Sequence, residues 1–103
     1  MVRPEALIPY RHVQLSVSRI QGVDEQQVWV VGLRVAELSR RLLQGRADAL
    51  ASAYMRQGLS VVPHGEEHDP NHANVIGWPP ERPAQLRIAQ GIARDATGHT
   101  IPA

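Results

Sequence analysis

Three of the chain's five histidines and three of its ten acidic residues lie between positions 63 and 74. His64, His68 and His72 are spaced four residues apart, with Glu66 and Glu67 between the first two. Imidazole nitrogens and carboxylate oxygens are ligands that zinc and nickel accept. One hypothesis is therefore a metal-binding loop in which the three histidines hold a zinc or nickel ion.

The prolines around this loop argue against a helical metal site. Residues 64–68 match the H-x-x-E-H pattern of a class of zinc peptidases, which needs both histidines on one side of a long helix. Pro63 and Pro70 bracket the match, and Gly65 lies within it. We therefore expect an irregular, solvated loop and exclude peptidase activity. Metal binding without that chemistry remains an alternative.

Single residues near the loop suggest further roles. We expect the ring of His72 to be at least half buried and to hydrogen-bond the loop backbone, although an exposed ring could serve as a general acid or base. Asn74 is a further candidate binding residue. Trp78 precedes two prolines and either anchors a partner protein or packs under the last helix, which we favour. A ribonuclease-like alternative would combine His72 with His12.

The composition predicts one globular domain and excludes several kinds of chemistry. The chain has 103 residues, of which 43% are hydrophobic and 20% charged, which is typical of a folded domain with one core. All eleven basic residues are scattered arginines and the net charge is only +1, which argues against nucleic acid as a partner. The absence of cysteine excludes disulfides, thiolate zinc sites and a cysteine nucleophile.

The N-terminal residues do not resemble a signal peptide, and the sequence predicts no membrane span. Residues 1–10 lack the apolar stretch of a signal peptide, and no run approaches the roughly 20 apolar residues of a membrane span. We expect a soluble, cytoplasmic protein, no membrane partner, an extended N-terminal segment over residues 1–10 and a flexible tail over residues 97–103.

The hydrophobic pattern predicts an α+β domain. Alternating residues indicate a strand at 12–20, and an unbroken apolar run indicates a second strand at 27–33 that forms a hairpin with the first. Helical periodicity covers 35–57, as one helix or as two that break at Gly45. Gly58 is placed to end this helix, with Leu59 as the accompanying hydrophobic contact. Further strands are expected at 59–62 and 73–77, and a last helix runs from Pro83 to Gly98. The resulting order, ββαββα, predicts a two-layer domain with a mostly antiparallel sheet and helices packed on one face.

The third and fourth strands are expected to form an antiparallel pair. Their nine-residue connection is too short for a parallel crossover, which takes a dozen residues or more. The pairing would place the loop at one end of the strands and the elbow at 78–83 at the other. We expect the loop to expose four side chains: His64, Glu66, Glu67 and His68.

Residues 58–96, with the stretches GLSVVP and DPNHANVIGWP, resemble segments of small uncharacterised bacterial proteins. The resemblance implies a bacterial source and assigns no catalytic residue. The chain shows no nucleophile with a base, no phosphate-binding loop and no strongly basic patch. We therefore predict a non-enzymatic interaction or accessory protein that needs no cofactor and associates with itself or with another protein. The alternative is a metal-binding or hydrolytic protein that uses residues 64–72.

Overall fold

The structure of the chain is a computed structural model that describes residues 2–9, 15–38, 45–67 and 69–100. Over these residues the chain forms a short 3-10 turn, Pro4–Leu7, three α-helices and five strands. The helices are α1 Glu25–Leu38, α2 Ala51–Arg56 and α3 Arg82–Ala93. The strands are β1 Leu15–Ser18, β2 Gly45–Asp48, β3 Ser60–Pro63, β4 His72–Ile76 and β5 Thr97–Thr100.

All of the strand pairs are antiparallel. The central strand β4 lies between β1 and β3, and β2 pairs with β5 in a separate two-stranded sheet. Val75 on β4 lies opposite Leu15 on β1 and Val61 on β3. Ala73 and Val75 point to the same face of this sheet, because side chains alternate along a strand, and both are buried. The predicted α+β class and the predicted β3–β4 hairpin are confirmed.

The buried face of the three-stranded sheet shares one core with α2, α3 and the N-terminal segment. The cluster consists of Val2, Leu7, Ile8, Ala53, Tyr54, Leu59, Val75, Trp78, Ala89 and Ile92. The N-terminal segment, which was predicted to be extended, turns at Pro4–Leu7 and packs against α3. The burial of Val2, Leu7 and Ile8 makes this segment part of the core.

Residues 27–33 were predicted to form a strand, and this prediction is wrong because they lie within α1. The β-branched valines favour a strand, but a capping interaction begins a helix just before them. The side chain of Asp24 accepts a hydrogen bond from the backbone N–H of Gln26 at 2.9 Å. Asp24 is therefore the N-cap, and Gln27 occupies the third helical position, where a capping box has Glu or Gln. β1 consequently pairs with β4 instead of with residues 27–33.

The predicted continuous helix at 35–57 is wrong, and the alternative of two helices that break at Gly45 did not include the strand that begins there. Residues 39–44 lie outside the described residues. Residues 35–38 belong to the end of α1, Gly45–Asp48 forms β2, and the helix resumes only at Ala51. A Cβ at Gly45 would lie 2.6 Å from the carbonyl oxygen of His99 on β5. Glycine thus permits the close approach of β2 to β5, and the observed element order is βαβαββαβ.

The end of α2 follows the prediction. Gly58 has a φ of 81°, where a Cβ would be strained. The Gly58 N–H donates to the Met55 carbonyl at 3.0 Å, and the Leu59 N–H donates to the Tyr54 carbonyl at 3.1 Å. These two bonds are those of a Schellman motif, with Leu59 buried as its hydrophobic contact.

The C-terminal region differs from the prediction in two respects. α3 ends at Ala93 rather than at Gly98. Residues Thr97–Thr100, which were predicted to lie in a flexible tail, form β5 and pair with β2. The rest of that predicted tail, residues 101–103, lies outside the described residues.

Candidate functional site

The β3–β4 hairpin brings two histidines together without a helix. Its ladder ends at the pair Pro63 and Ala73, and the next residues outward are His64 and His72. The His64 N–H donates to the His72 carbonyl at 2.8 Å, so these two residues continue the ladder. Antiparallel register, rather than the four-residue spacing considered from the sequence, makes them neighbours. Their ring centroids lie 5.6 Å apart with an edge-to-face angle of 71°.

The ring of His72 is held against the loop backbone. Its side chain is only 12% exposed, and its Nδ1 lies 2.9 Å from the carbonyl oxygen of His64. Because a carbonyl oxygen only accepts hydrogen bonds, Nδ1 carries the proton in this contact. The expected burial of His72 and the expected bond from its ring to the loop backbone are both observed. The ring of His64 is 60% exposed, also as expected.

The carboxylate of Glu66 lies between the two imidazoles. Its Oε1 is 3.6 Å from Nδ1 of His64 and 3.6 Å from Nδ1 of His72. One ligand atom from each of the three residues falls within 4.8 Å of the others. Glu66 was expected to be exposed, but its side chain is 33% exposed and therefore half-buried. We call His64, Glu66 and His72 the hairpin cluster.

Asp69 ties this loop to β1, and sequence reasoning missed it. Its side chain is 2% exposed and accepts hydrogen bonds from the Ser18 hydroxyl and from the Asn71 N–H. Its backbone pairs with Glu66 through N–H···O bonds of 2.9 and 3.1 Å. The sequence signal was Asp69 before Pro70, because an Asp side chain often bonds the backbone two residues onward. A buried carboxylate therefore fixes the loop.

The remaining candidates lie apart from the hairpin cluster. Glu67 is exposed within the loop and is not part of the cluster, and Asn74 lies farther along β4, opposite Ser16 of β1. Trp78 lies at the other end of β4, where it is buried in the core and donates its indole N–H to the Val75 carbonyl at 3.1 Å. That burial removes Trp78 from any binding surface and matches the favoured prediction. His12 and His68 lie outside the described residues, so their proposed roles stay predictions.

A second region of interest is α1, which exposes large apolar side chains. Leu38 is 62% exposed, Leu33 is 51% exposed and Val30 is 50% exposed. Trp29 and Ala36 are the buried residues of this helix. Within the described part of the chain, α1 packs extensively against no other helix or strand. The described helices and strands therefore leave much of the apolar surface of α1 exposed.

A large open cleft lies beside α1 and is also lined by residues of β1 and α2. Its volume is about 2060 Å³. Val31 and Val35 line it from α1, and Val17, Tyr54 and Met55 line it from β1 and α2. Burial raises the pKa of the Tyr54 phenol. Pockets for small ligands usually have about 300–1,000 Å³, so this cleft is too large for a typical small molecule.

Polar contacts attach the first turn of α1 to β2. Arg46 forms ion pairs with Glu25 at 2.9 Å and with Asp48 at 3.1 Å, and its guanidinium lies over the ring of Trp29. The Trp29 indole also donates to Glu25 at 3.1 Å. Hydrogen bonds from Arg46 and then Trp29 lower the pKa of Glu25, and the bond to Glu25 raises the pKa of Arg46. His99 contacts the same Asp48 at 3.2 Å.

Comparisons with known proteins add no family to these geometric findings. No protein-family model, curated protein or solved structure matches the chain. The resemblance of residues 58–96 to small bacterial proteins stays a prediction. None of the helices in the described ranges is long and apolar enough to cross a membrane.

Proposed function

We propose that this chain is a non-enzymatic interaction protein that works as a homo-oligomer, with α1 as its association surface. The observation that carries the proposal is the exposure of large apolar side chains along a helix that is apolar on nearly every side. The apolar residues of α1 are Val28, Trp29, Val30, Val31, Leu33, Val35, Ala36 and Leu38. Helices of this kind are normally buried all round.

The size of the cleft beside α1 favours a polypeptide over a small ligand. Its volume of about 2060 Å³ lies above the range that is usual for pockets that bind metabolites. Exposed apolar patches on a folded chain mark interaction sites. An apolar surface buried in a permanent complex resembles a domain core cut in half, which fits the composition of α1.

The pattern of charges on α1 favours a second copy of this chain as the partner. Two-fold symmetric contacts bring the same surface of each copy together, so the surface must complement itself. If two α1 helices pair antiparallel about an axis between residues 35 and 36, Leu33 faces Leu38 of the second copy. The same pairing places Arg34 opposite Glu37 of the second copy, and both are exposed in the single chain. Apolar side chains then meet apolar ones, and opposite charges meet.

Cross-linking through a single cysteine tests this arrangement, because the chain has no cysteine of its own. Arg34→Cys would lie near its symmetry mate, since paired helices are about 8–10 Å apart and rise by about 1.5 Å per residue. We expect a short bismaleimide reagent to convert most of this variant to covalent dimer. Arg87→Cys, on an exposed position of α3, is the matched control and should remain monomeric on a denaturing gel. Equal cross-linking of the two variants, or none in either, would contradict the proposed surface.

A further inference from the structure

We propose that the hairpin cluster, His64, Glu66 and His72, is a binding site for a divalent zinc ion. The proposal is independent of the association through α1, because it depends on other residues. The cluster offers two imidazoles and one carboxylate, which are zinc ligands of the kind found in open, three-residue sites.

The two distances from Glu66 to the histidines match those of tetrahedral coordination. With Zn–N and Zn–O bonds of about 2.0–2.2 Å, neighbouring ligand atoms in a tetrahedron are about 3.3–3.6 Å apart. Oε1 of Glu66 is 3.6 Å from Nδ1 of both histidines. The three ligand atoms all lie within 4.8 Å of one another, so small side-chain rotations bring them onto one ion. A fourth position would be left to water.

The backbone already holds the ligands near these positions. His64 and His72 are joined by a ladder hydrogen bond, and Glu66 is bridged to Asp69, whose buried side chain is bound to Ser18. A preformed site of this kind loses little conformational freedom when the ion binds.

Zinc binding at Nδ1 of His72 would require a change of tautomer. In the described structure this nitrogen donates its proton to the His64 carbonyl at 2.9 Å. Coordination needs the Nδ1 lone pair, so the ring proton moves to Nε2 through solvent and the imidazole stays neutral. The hydrogen bond is replaced by a bond to the metal. Because ligands must be deprotonated, affinity falls as the pH is lowered.

Calorimetric titration of tag-free, chelator-treated protein with zinc chloride tests the site. We expect saturable binding of one zinc ion per chain. His64→Ala and Glu66→Gln should each weaken it at least about tenfold, since even partners that only orient a ligand are worth about 10–100-fold. Both side chains are partly exposed, so neither variant should unfold. Glu67→Gln, an exposed neighbour, and His99→Ala, a histidine outside the cluster, are the matched controls.

A nitrogen-15 NMR spectrum of the histidine rings gives a second readout. Without metal, His72 should show a protonated Nδ1, and with zinc it should show a protonated Nε2. Absence of saturable zinc binding would overturn the proposal. Undiminished affinity in both His64→Ala and Glu66→Gln would also overturn it, as would a His72 tautomer that zinc leaves unchanged.

Discussion

The guanidinium carbon of Arg46 lies 5.0 Å from the centre of the Trp29 ring, and this contact attaches α1 to β2. Glu25, one turn before Trp29, accepts hydrogen bonds from both residues. The first turn of α1 is thus held by charged groups, whereas the exposed leucines lie toward its C-terminal half. A helix fixed at one end and apolar along its length is suited to packing against a second chain.

The contribution of the Glu25 carboxylate to the stability of the fold should disappear at low pH. Its pKa is lowered in the folded state, first by the hydrogen bond from Arg46. A group with a lowered folded pKa stabilises the fold above its unfolded pKa, and this stabilisation is lost as the pH falls through the folded pKa. We expect Glu25→Gln to lower the melting temperature at pH 7, and the difference from wild type to shrink as the pH falls below 4.5. A difference that is the same at pH 7 and pH 3 would contradict this role.

The buried carboxylate of Asp69 should contribute measurably to stability. Asp69→Ala would leave the Ser18 hydroxyl and the Asn71 N–H without this acceptor, which costs about 1–3 kcal/mol in unfolding free energy. Urea denaturation measures the change, and exposed Glu67→Gln should stay within about 0.5 kcal/mol of wild type. Ser18→Ala and Asp69→Ala should be non-additive, since they break one interaction. Strict additivity would show that the two side chains act separately.

The two histidines of the hairpin cluster should differ in their effect on stability. His72→Ala removes a half-buried ring that bonds the His64 carbonyl, and we expect a loss of about 1–3 kcal/mol. His64→Ala removes a ring that is 60% exposed and keeps that carbonyl, so it should cost no more than about 0.5 kcal/mol. Urea denaturation of both variants in the presence of a chelator measures the two losses in unfolding free energy. Equal losses in the two variants would contradict an anchoring role for His72.

A charge placed on the exposed apolar surface of α1 should dissociate the oligomer without unfolding the chain. Leu38 is 62% exposed in the single chain, so Leu38→Glu should change its stability little. In the proposed pairing this carboxylate would face Leu33 of the second copy, and we expect the dissociation constant to rise at least about tenfold. Val62→Glu makes the same change on β3, away from α1, and serves as the control. If both variants associated like wild type in sedimentation velocity, α1 would not be the interface.

The sequence contains enough local information to predict the part of the fold from the end of α2 to β4. The short connection at 63–71 predicted the antiparallel pairing of β3 with β4, and Gly58 predicted the end of α2. Proline and glycine restrict the backbone directly, so these signals do not depend on distant contacts.

The elements that sequence reasoning missed depend on competing or distant interactions. α1 contains a valine run that favours a strand, and the cap formed by Asp24 outweighs it. β2 and β5 are joined across about fifty residues, and only the contact between Gly45 and His99 explains why glycine is needed there. The hairpin cluster likewise depends on register, which the four-residue spacing of the histidines did not indicate.

Sedimentation equilibrium of the wild-type protein over a range of concentrations tests the central claim most directly. The chain has a mass of 11.4 kDa. We expect the apparent mass to rise with concentration toward about twice this value, as two copies cover each other's α1. A mass that stays at 11.4 kDa up to about 1 mM would contradict self-association as the function of this surface. A dissociation constant of about 1 mM corresponds to a binding free energy of only about 4 kcal/mol.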